Sequence, residues 1–361
     1  MHALDLSEIL SPGTVVAFLD DHFGQSPLHV PGSPDKFFGL LSWIAVDNLV
    51  RDPALGSRVH VTGGSANAGE PVRAWSAAAP VLIERVDEAC APIKALAQSL
   101  ERTLEAPIRA YLSAGAAGLP MQRAAHDAIV LSVAGENRWR VYPKSTEQPT
   151  GNPEWEDPLR EGDALYIPRG WWCAADASHL PTLQLTLAIE NPTGVDLIAW
   201  LARVLKHHEV FLTDVPRFAG PAAQADYIAT IRRTIVRACR EPGMLERFSR
   251  HLNETAASRP SEGSPWSPAL SDSCLITLAT PRRLRVRRAD TATIYIRVNR
   301  KRLTFPEDAA QLLLYLADEA PVSLSEFYAC FADEFEREEL AEFLSVLSTS
   351  GIVAFREPDA R

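Results

Sequence analysis

Few side chains in this sequence place reactive groups close together. His126 precedes Asp127, Cys173 follows the pair Trp171-Trp172, and His179 comes six residues later. A metal such as zinc needs several converging nitrogen, sulfur or oxygen donors. His126, Cys173 and His179 could supply three if the chain folded two walls onto each other, although their spacing matches no zinc-ligand pattern. As a nucleophile, Cys173 would need a neighbour that lowers its pKa, and Arg169 and His126 are the candidates. Otherwise it reads as a small buried residue. His207 and His208 look like a ligand pair, but adjacent helical side chains diverge by about 100°, so they read as a solvated helix end. There is no glycine-rich phosphate loop and no recognisable Ser/His/Asp arrangement.

The elements that must position these groups are two stretches, Pro120 to Tyr142 and Glu161 to Ala175. Ala128–Ala134 is apolar and β-branched, Gly135 marks a turn, and Arg138–Tyr142 alternates polar and apolar with period two, which predicts a β-hairpin. In the second stretch, Glu161-Gly162-Asp163 reads as a turn and Ala164–Ile167 as a buried strand. Pro168-Arg169-Gly170 is a break, and Trp171-Trp172-Cys173 resumes the strand. Alternation puts Gln122, Ala124 and His126 on one face and Trp171 and Cys173 on another.

The run His126-Asp127, apolar strand, Gly135, Arg138-Trp139-Arg140-Val141, followed by Gly162-Asp163 and Leu165-Tyr166-Ile167-Pro168-Arg169-Gly170-Trp171-Trp172, resembles the JmjC-type cupins of the ribosomal-oxygenase group. The resemblance implies a double-stranded β-helix barrel and, for the family, Fe(II)- and 2-oxoglutarate-dependent hydroxylation of proteins. The family binds iron through a His-x-Asp pair five and three residues before the aspartate matching Asp127, and through a His after the Trp-Trp pair. Those positions hold Gln122, Ala124 and Cys173. The basic residue that pairs with the far carboxylate of 2-oxoglutarate is replaced by Asn137. In the family Tyr or Asn faces the cosubstrate near Tyr111, which makes Tyr111 a pocket candidate; as a strand aromatic it needs no such role. His126 sits where the family's motif often has a His that is not a ligand.

A facial triad of two imidazoles and a carboxylate supplies three strong donors and leaves positions open for oxygen and the keto acid. Gln offers a neutral carbonyl, Ala nothing, and Cys a lone soft donor. Without a cation at Asn137, the distal carboxylate would be buried unpaired, which is costly. The expectation is therefore a non-catalytic, pseudo-oxygenase protein with no cofactor. It would bind a peptide, protein or small molecule in the barrel groove, with Tyr111, His126, Arg140, Trp171 and His179 as candidate pocket residues. The alternative is an enzyme, either an oxygenase with an altered metal site or a metal-independent cupin using Cys173, His126 or Arg140.

The 361 residues are 46% hydrophobic and 23% charged, with a formal charge of −10, which fits a soluble globular chain of two or three domains and argues against a dedicated nucleic-acid binder. No basic region followed by a long apolar run opens the sequence, and no stretch reaches membrane-spanning length. The five scattered Cys include no CxxC. The expectation is a cytoplasmic protein with free thiols.

The class expected is α+β, in three parts. Residues 1–194 should form the barrel domain. It should contain a helix opened by Ser11-Pro12, a strand through Leu28-His29-Val30, a helix over Lys36–Trp43, strands within 57–85 turning at Gly63-Gly64 and Gly69, and a helix over Cys90–Glu105. Ile108–Leu112 and Thr182–Ile189 should be barrel strands, and 143–160 a surface loop. Residues 195–257 should be helical, with Leu197, Trp200, Leu201 and Leu205 on one face of a first helix and Ile228, Ile231, Ile235 and Val236 on a second. The resemblance makes this a dimerisation region and implies a homodimer. In 258–361 a Pro/Ser/Gly linker (258–268) leads to short strands and three helices, an order that fits the winged-helix-like domain the family carries. From Arg282 to Arg302 there are nine Arg/Lys and one Asp; from Glu307 to Glu342 there are eleven acids and one Arg. Helices that would enter a major groove are thus acidic, which disfavours DNA reading. The arginine strands read as a solvated sheet edge or a grip on an acidic partner or RNA backbone.

Overall fold

The protein is described from a computed structural model that covers residues 4–61, 80–116, 118–176, 179–255, 264–280, 284–290, 292–298 and 301–357. The Gly63-Gly64 and Gly69 turns and the first part of the linker lie outside these residues. The chain divides into two compact units, Met1–Asn191 and Pro192–Arg361.

The first unit holds helices α1 (Leu6–Leu10), α2 (Val15–Ala17), α3 (Trp43–Arg51) and α4 (Ala91–Leu104). Its strands are β1 (Leu28–Val30), β2 (Val59–Val61), β3 (Val81–Glu84), β4 (Ile108–Gly115), β5 (Leu119–Arg123) and β6 (Asp127–Ala134), then β7 (Asn137–Tyr142), β8 (Trp155–Leu159), β9 (Ala164–Ile167), β10 (Trp172–Ala175) and β11 (Thr182–Ile189). They form a seven-stranded sheet, β1-β9-β6-β11-β4-β3-β2, and a four-stranded sheet, β5-β10-β7-β8, with every pairing antiparallel.

Alternation assigns the two faces of the large sheet. Leu183, Leu185, Leu187 and Ile189 of β11 join the main core with Ile108, Ala110 and Leu112 of β4. The stripe Ile93, Leu96, Ala97 and Leu100 of α4, spaced three and four apart, buries against them. Each such side chain contributes roughly 1.5–3 kcal/mol when fully buried. The opposite face meets the small sheet: Val130, Leu165 and Ile167 pack with Trp139, Val141, Leu159, Cys173 and Ala175 in a second cluster.

Four expectations need correction. β6 and β7 do not pair as a hairpin; each belongs to a different sheet. Gly135 (φ +78°) instead carries the chain around the corner between sheets, where a Cβ would lie 3.0 Å from the Pro181 carbonyl. Residues 143–160 are not all loop, because β8 forms the sheet edge, where Pro158 is tolerated and Leu159 is buried. Ser11-Pro12 follows α1 rather than opening a helix. The next helix starts at Val15, where the Thr14 hydroxyl accepts from the Ala17 N–H at 3.2 Å. The helix placed over Lys36–Trp43 begins at Trp43 instead, capped by Ser42, because Gly39 (φ +85°) breaks the chain first.

Two buried carboxylates tie the small elements to the sheets. Asp163 accepts from His29 Nε2 (3.1 Å), Gly32 N–H (2.9 Å) and Arg160 N–H (3.0 Å), fixing the chain after β1 to the turn before β9. Gly32 and Gly162 lie back to back there. A Cβ on Gly162, at φ +89°, would fall 1.9 Å from the Ser33 carbonyl oxygen. Asp127 accepts from the Tyr166 hydroxyl (2.6 Å) and Asn191 Nδ2 (2.8 Å), and Tyr166 itself accepts from Gly24 N–H at 2.7 Å. Burial, followed by the Asp127 hydrogen bond, pushes the Tyr166 phenol well above its ordinary value, so it stays a donor.

The second unit holds α5 (Gly194–Leu205), α6 (Glu209–Leu212), α7 (Pro221–Cys239), α8 (Met244–Thr255), α9 (Ala309–Glu319), α10 (Leu324–Phe331) and α11 (Arg337–Thr349). Its strands are β12 (Leu275–Leu278), β13 (Arg287–Arg288), β14 (Thr293–Val298), β15 (Lys301–Pro306), β16 (Val322–Ser323) and β17 (Val353–Arg356), paired as β16-β12-β17 and β13-β14-β15. Trp200, Leu201, Leu205, Ala238 and Phe248 form one core and the C-terminal elements another. No helix among the described residues is long and apolar enough to cross a membrane.

Candidate functional site

The site is built where the small sheet meets the loop before β6. Gln122 on β5 is the direct strand partner of Cys173 on β10. Beyond β5 the pairing continues irregularly: Ala124 N–H donates to the Trp171 carbonyl (2.7 Å), and Gly170 N–H donates to the Ala124 carbonyl (2.8 Å). Ala124, Trp171 and Cys173 therefore pack in the same enclosed cluster, while Gln122 is exposed at its rim. Three positions distant in sequence are brought together, and together they offer one amide, one methyl and one thiol.

The thiol is held in its neutral form. Cys173 is buried, and desolvation pushes its pKa up to about 11. With no cation beside it, the thiol is not activated as a nucleophile. Neither Arg169 nor His126 depresses it: the Arg169 guanidinium donates to the Asn191 carbonyl at 2.9 Å, and His126 is half-buried in the loop between β5 and β6, its Nδ1 without a partner among the described residues. His179 is exposed ahead of β11. Among the described residues no three His, Cys, Asp or Glu side chains converge to hold a metal.

Asn137, at the cosubstrate-anchor position, is buried at the start of β7, and its Nδ2 donates to the Asp176 carbonyl at 3.0 Å. It holds the chain leaving β10 and brings no charge. Arg140 lies on the other face of β7 from Trp139 and Val141, ion-paired with Asp176 outside the enclosed cluster. Tyr111 is half-buried on the barrel-facing side of β4, between Glu84 and Thr186 on neighbouring strands. Measured against Fe(II) and 2-oxoglutarate, this set does not fit. The donor positions present no anion and no imidazole, and no cation stands where the far carboxylate would need one.

Sequence reasoning passed over two interior donors. Gln184 of β11 faces the small sheet between Ser113 and Ser132 on the flanking strands, and its Nε2 is buried without a partner among the described residues, as is Trp139 Nε1. The signal for Gln184 was present: a polar amide at an inward position of the apolar strand TLQLTLAI. Two buried neutral donors suit a hydrogen-bond acceptor such as a carbonyl or water.

Known proteins match this architecture. Residues 89–197 match the JmjC domain family. The chain is 24% identical over 195 residues to a bifunctional lysine-specific demethylase and histidyl-hydroxylase NO66 of Drosophila persimilis; the match covers 46% of this chain and 28% of that protein. The chain thus spans between a quarter and a third of that relative's length. In three dimensions it is similar to YcfD, a ribosomal oxygenase from Escherichia coli, with 19% identity and a TM-score of 0.61 over 94% of this chain and 97% of that one. YcfD in complex with cobalt and 2-oxoglutarate superposes equally well, at 18% identity and a TM-score of 0.61. The first unit is accordingly a JmjC/cupin barrel. Residues 89–197 thus match the JmjC domain, and the fold is similar to that of the ribosomal oxygenase YcfD.

Proposed function

We propose that this chain is a JmjC protein without oxygenase chemistry, whose barrel groove binds a peptide, a protein or a small molecule. The observation that carries this reading is the meeting of Gln122, Ala124 and Cys173 at one place, with the thiol held neutral. The barrel is complete around them, so the loss is confined to the chemistry. The partially exposed rim, with Gln122 outside and Trp171 half-buried, offers amide and aromatic contacts of the kind a peptide uses.

The helical part of the second unit is proposed to pair two copies. Ile228 on α7 is 60% exposed, Ile231 and Ile235 of the same stripe are only partly buried, and Val195 and Ile198 on α5 are 78% and 59% exposed. Apolar stripes left open in one copy are covered economically by a second. The C-terminal part is proposed to be winged-helix-like, with its acidic helices turned from any DNA role, and the protein to work in the cytoplasm.

The catalytic half is tested by succinate formation from 2-oxoglutarate with Fe(II), oxygen and ascorbate. The expected rate equals that of the protein-free control; turnover above it, abolished by chelator, contradicts the reading. Sedimentation should give a dimer that Ile228→Asp converts to monomer; a monomeric parent protein would refute the pairing.

A further inference from the structure

The three-stranded sheet β13-β14-β15 has one face in the C-terminal core and one partly open, where Arg287 and Tyr295 are half-buried and α8 lies against β14. Ile294, Ile296, Val298 and Phe305 occupy the first. Strand pairing puts Arg287 opposite Tyr295, Tyr295 opposite Thr304, and Arg297 opposite Arg302, so these five share the second. The Arg302 guanidinium lies over the Tyr295 ring at 4.2 Å from its centroid, and that of Arg297 at 5.9 Å. An aromatic ring on a partly open sheet face is therefore ringed by arginines.

The acidic groups around it leave a surplus. Arg297 is bridged by Glu254 of α8 at 3.0 Å, and Arg288 by Glu307 at the sheet edge. Asp290 spends its carboxylate on the N–H groups of Ala292 and Thr293 and the Thr293 hydroxyl. Arg287 and Arg302 are in no close ion pair among the described residues, Arg302 feeling the already hydrogen-bonded Asp290 only as a weak charge interaction. A face whose only purpose was to prevent edge pairing would need charge at the edge strands. It would not need a tyrosine at the centre of the middle strand with a guanidinium plane stacked on it.

We propose that this face is a binding surface for single-stranded nucleic acid. Arg287 and Arg302 supply phosphate contacts, and the Tyr295–Arg302 stack is the platform for a base. The sheet is the basic part of a chain whose net charge is −10, so binding is local and strongly salt-dependent. A single strand, whose bases are open to stacking, fits such a platform where a duplex does not. This inference is independent of the barrel.

The test is fluorescence anisotropy with the full chain and a labelled twelve-nucleotide single-stranded RNA of mixed sequence. Binding is expected at 50 mM salt, with log affinity falling against log salt at a slope of about −1.4, as for two neutralised phosphates. Arg287→Glu with Arg302→Glu should weaken binding at least about ten-fold and flatten the slope. Tyr295→Ala should weaken it about five-fold or more at unchanged slope, the signature of a lost stack. Unchanged circular dichroism melts would show that both variants fold; Arg302→Gln, at an exposed position, serves if they do not. Three results would overturn the proposal: no binding by the parent protein at 50 mM salt; equal capture of polyglutamate and RNA with no effect of Tyr295→Ala, which would make this a surface for acidic polypeptides; or salt-reversible self-association lost in the double arginine variant, which would make the acidic helices of a second copy its partner.

Discussion

Two polar constellations in the first unit occupy the same barrel and differ in completeness. Around Asp127 and Asp163, the carboxylates, the Tyr166 hydroxyl, the Asn191 amide and the N–H groups of Gly24, Gly32 and Arg160 are joined in hydrogen bonds of 2.6–3.1 Å. Around Gln122, Ala124 and Cys173, the backbone brings the positions together but the side chains supply no charge. The difference teaches that the groups holding a fold together and the groups doing its chemistry are separable.

That comparison is broken most severely at the complete constellation. Asp163→Ala would strand His29 and two backbone N–H groups, costing roughly 3–4 kcal/mol in urea unfolding. Gly162→Ala meets the Ser33 carbonyl and demands φ +89° of a residue with a Cβ, at a cost of about 3 kcal/mol. Tyr166→Phe removes one hydrogen bond to Asp127 and one from Gly24 while keeping the ring, and should cost about 1–2 kcal/mol. At the incomplete constellation, the exposed Gln122→Ala should stay within about 0.5 kcal/mol of the parent. A Gln122 variant that unfolded the protein would show that the two sets are not separable.

Cys173 sharpens the comparison through pH. Its folded pKa, about 11, lies above the ordinary thiol value of 9.0. Below pH 9 both states hold the proton and its contribution to stability is full. Between about 9 and 11 the unfolded thiol ionises first, and stability falls by up to about 3 kcal/mol, a loss absent from Cys173→Ala. At neutral pH a disulfide reagent should modify the exposed Cys239 and Cys330 quickly and Cys173 only on unfolding.

Much of this was legible in the sequence. Alternation in Thr182–Ile189 and spacing in Cys90–Glu105 located a sheet strand and a helix because each buries one face. The stretches around Gln122 and Trp171-Trp172 were legible as strands, and the structure pairs them as β5 and β10. What was not legible depends on contacts distant in sequence. Gly135 announces a turn, but whether the next strand pairs back or crosses to another sheet is decided by Pro181 and Thr182. Strand β8 is written in a polar loop's composition because an edge strand has one side in water. Cys173 could be read as ligand, nucleophile or filler, and its enclosure by Trp139, Val141 and Trp171 comes from strands far apart in sequence.

The most direct measurement is elemental analysis of the purified protein, followed by thermal unfolding with Fe(II) and 2-oxoglutarate, alongside the variant Gln122→His/Ala124→Asp/Cys173→His. A ligand that binds the folded state raises the midpoint with its occupancy. The account predicts no stoichiometric metal and no shift for the parent chain, and metal binding by the triple variant, whose three positions already meet. Stoichiometric iron in the parent protein, or a clear upward shift with 2-oxoglutarate, would contradict it.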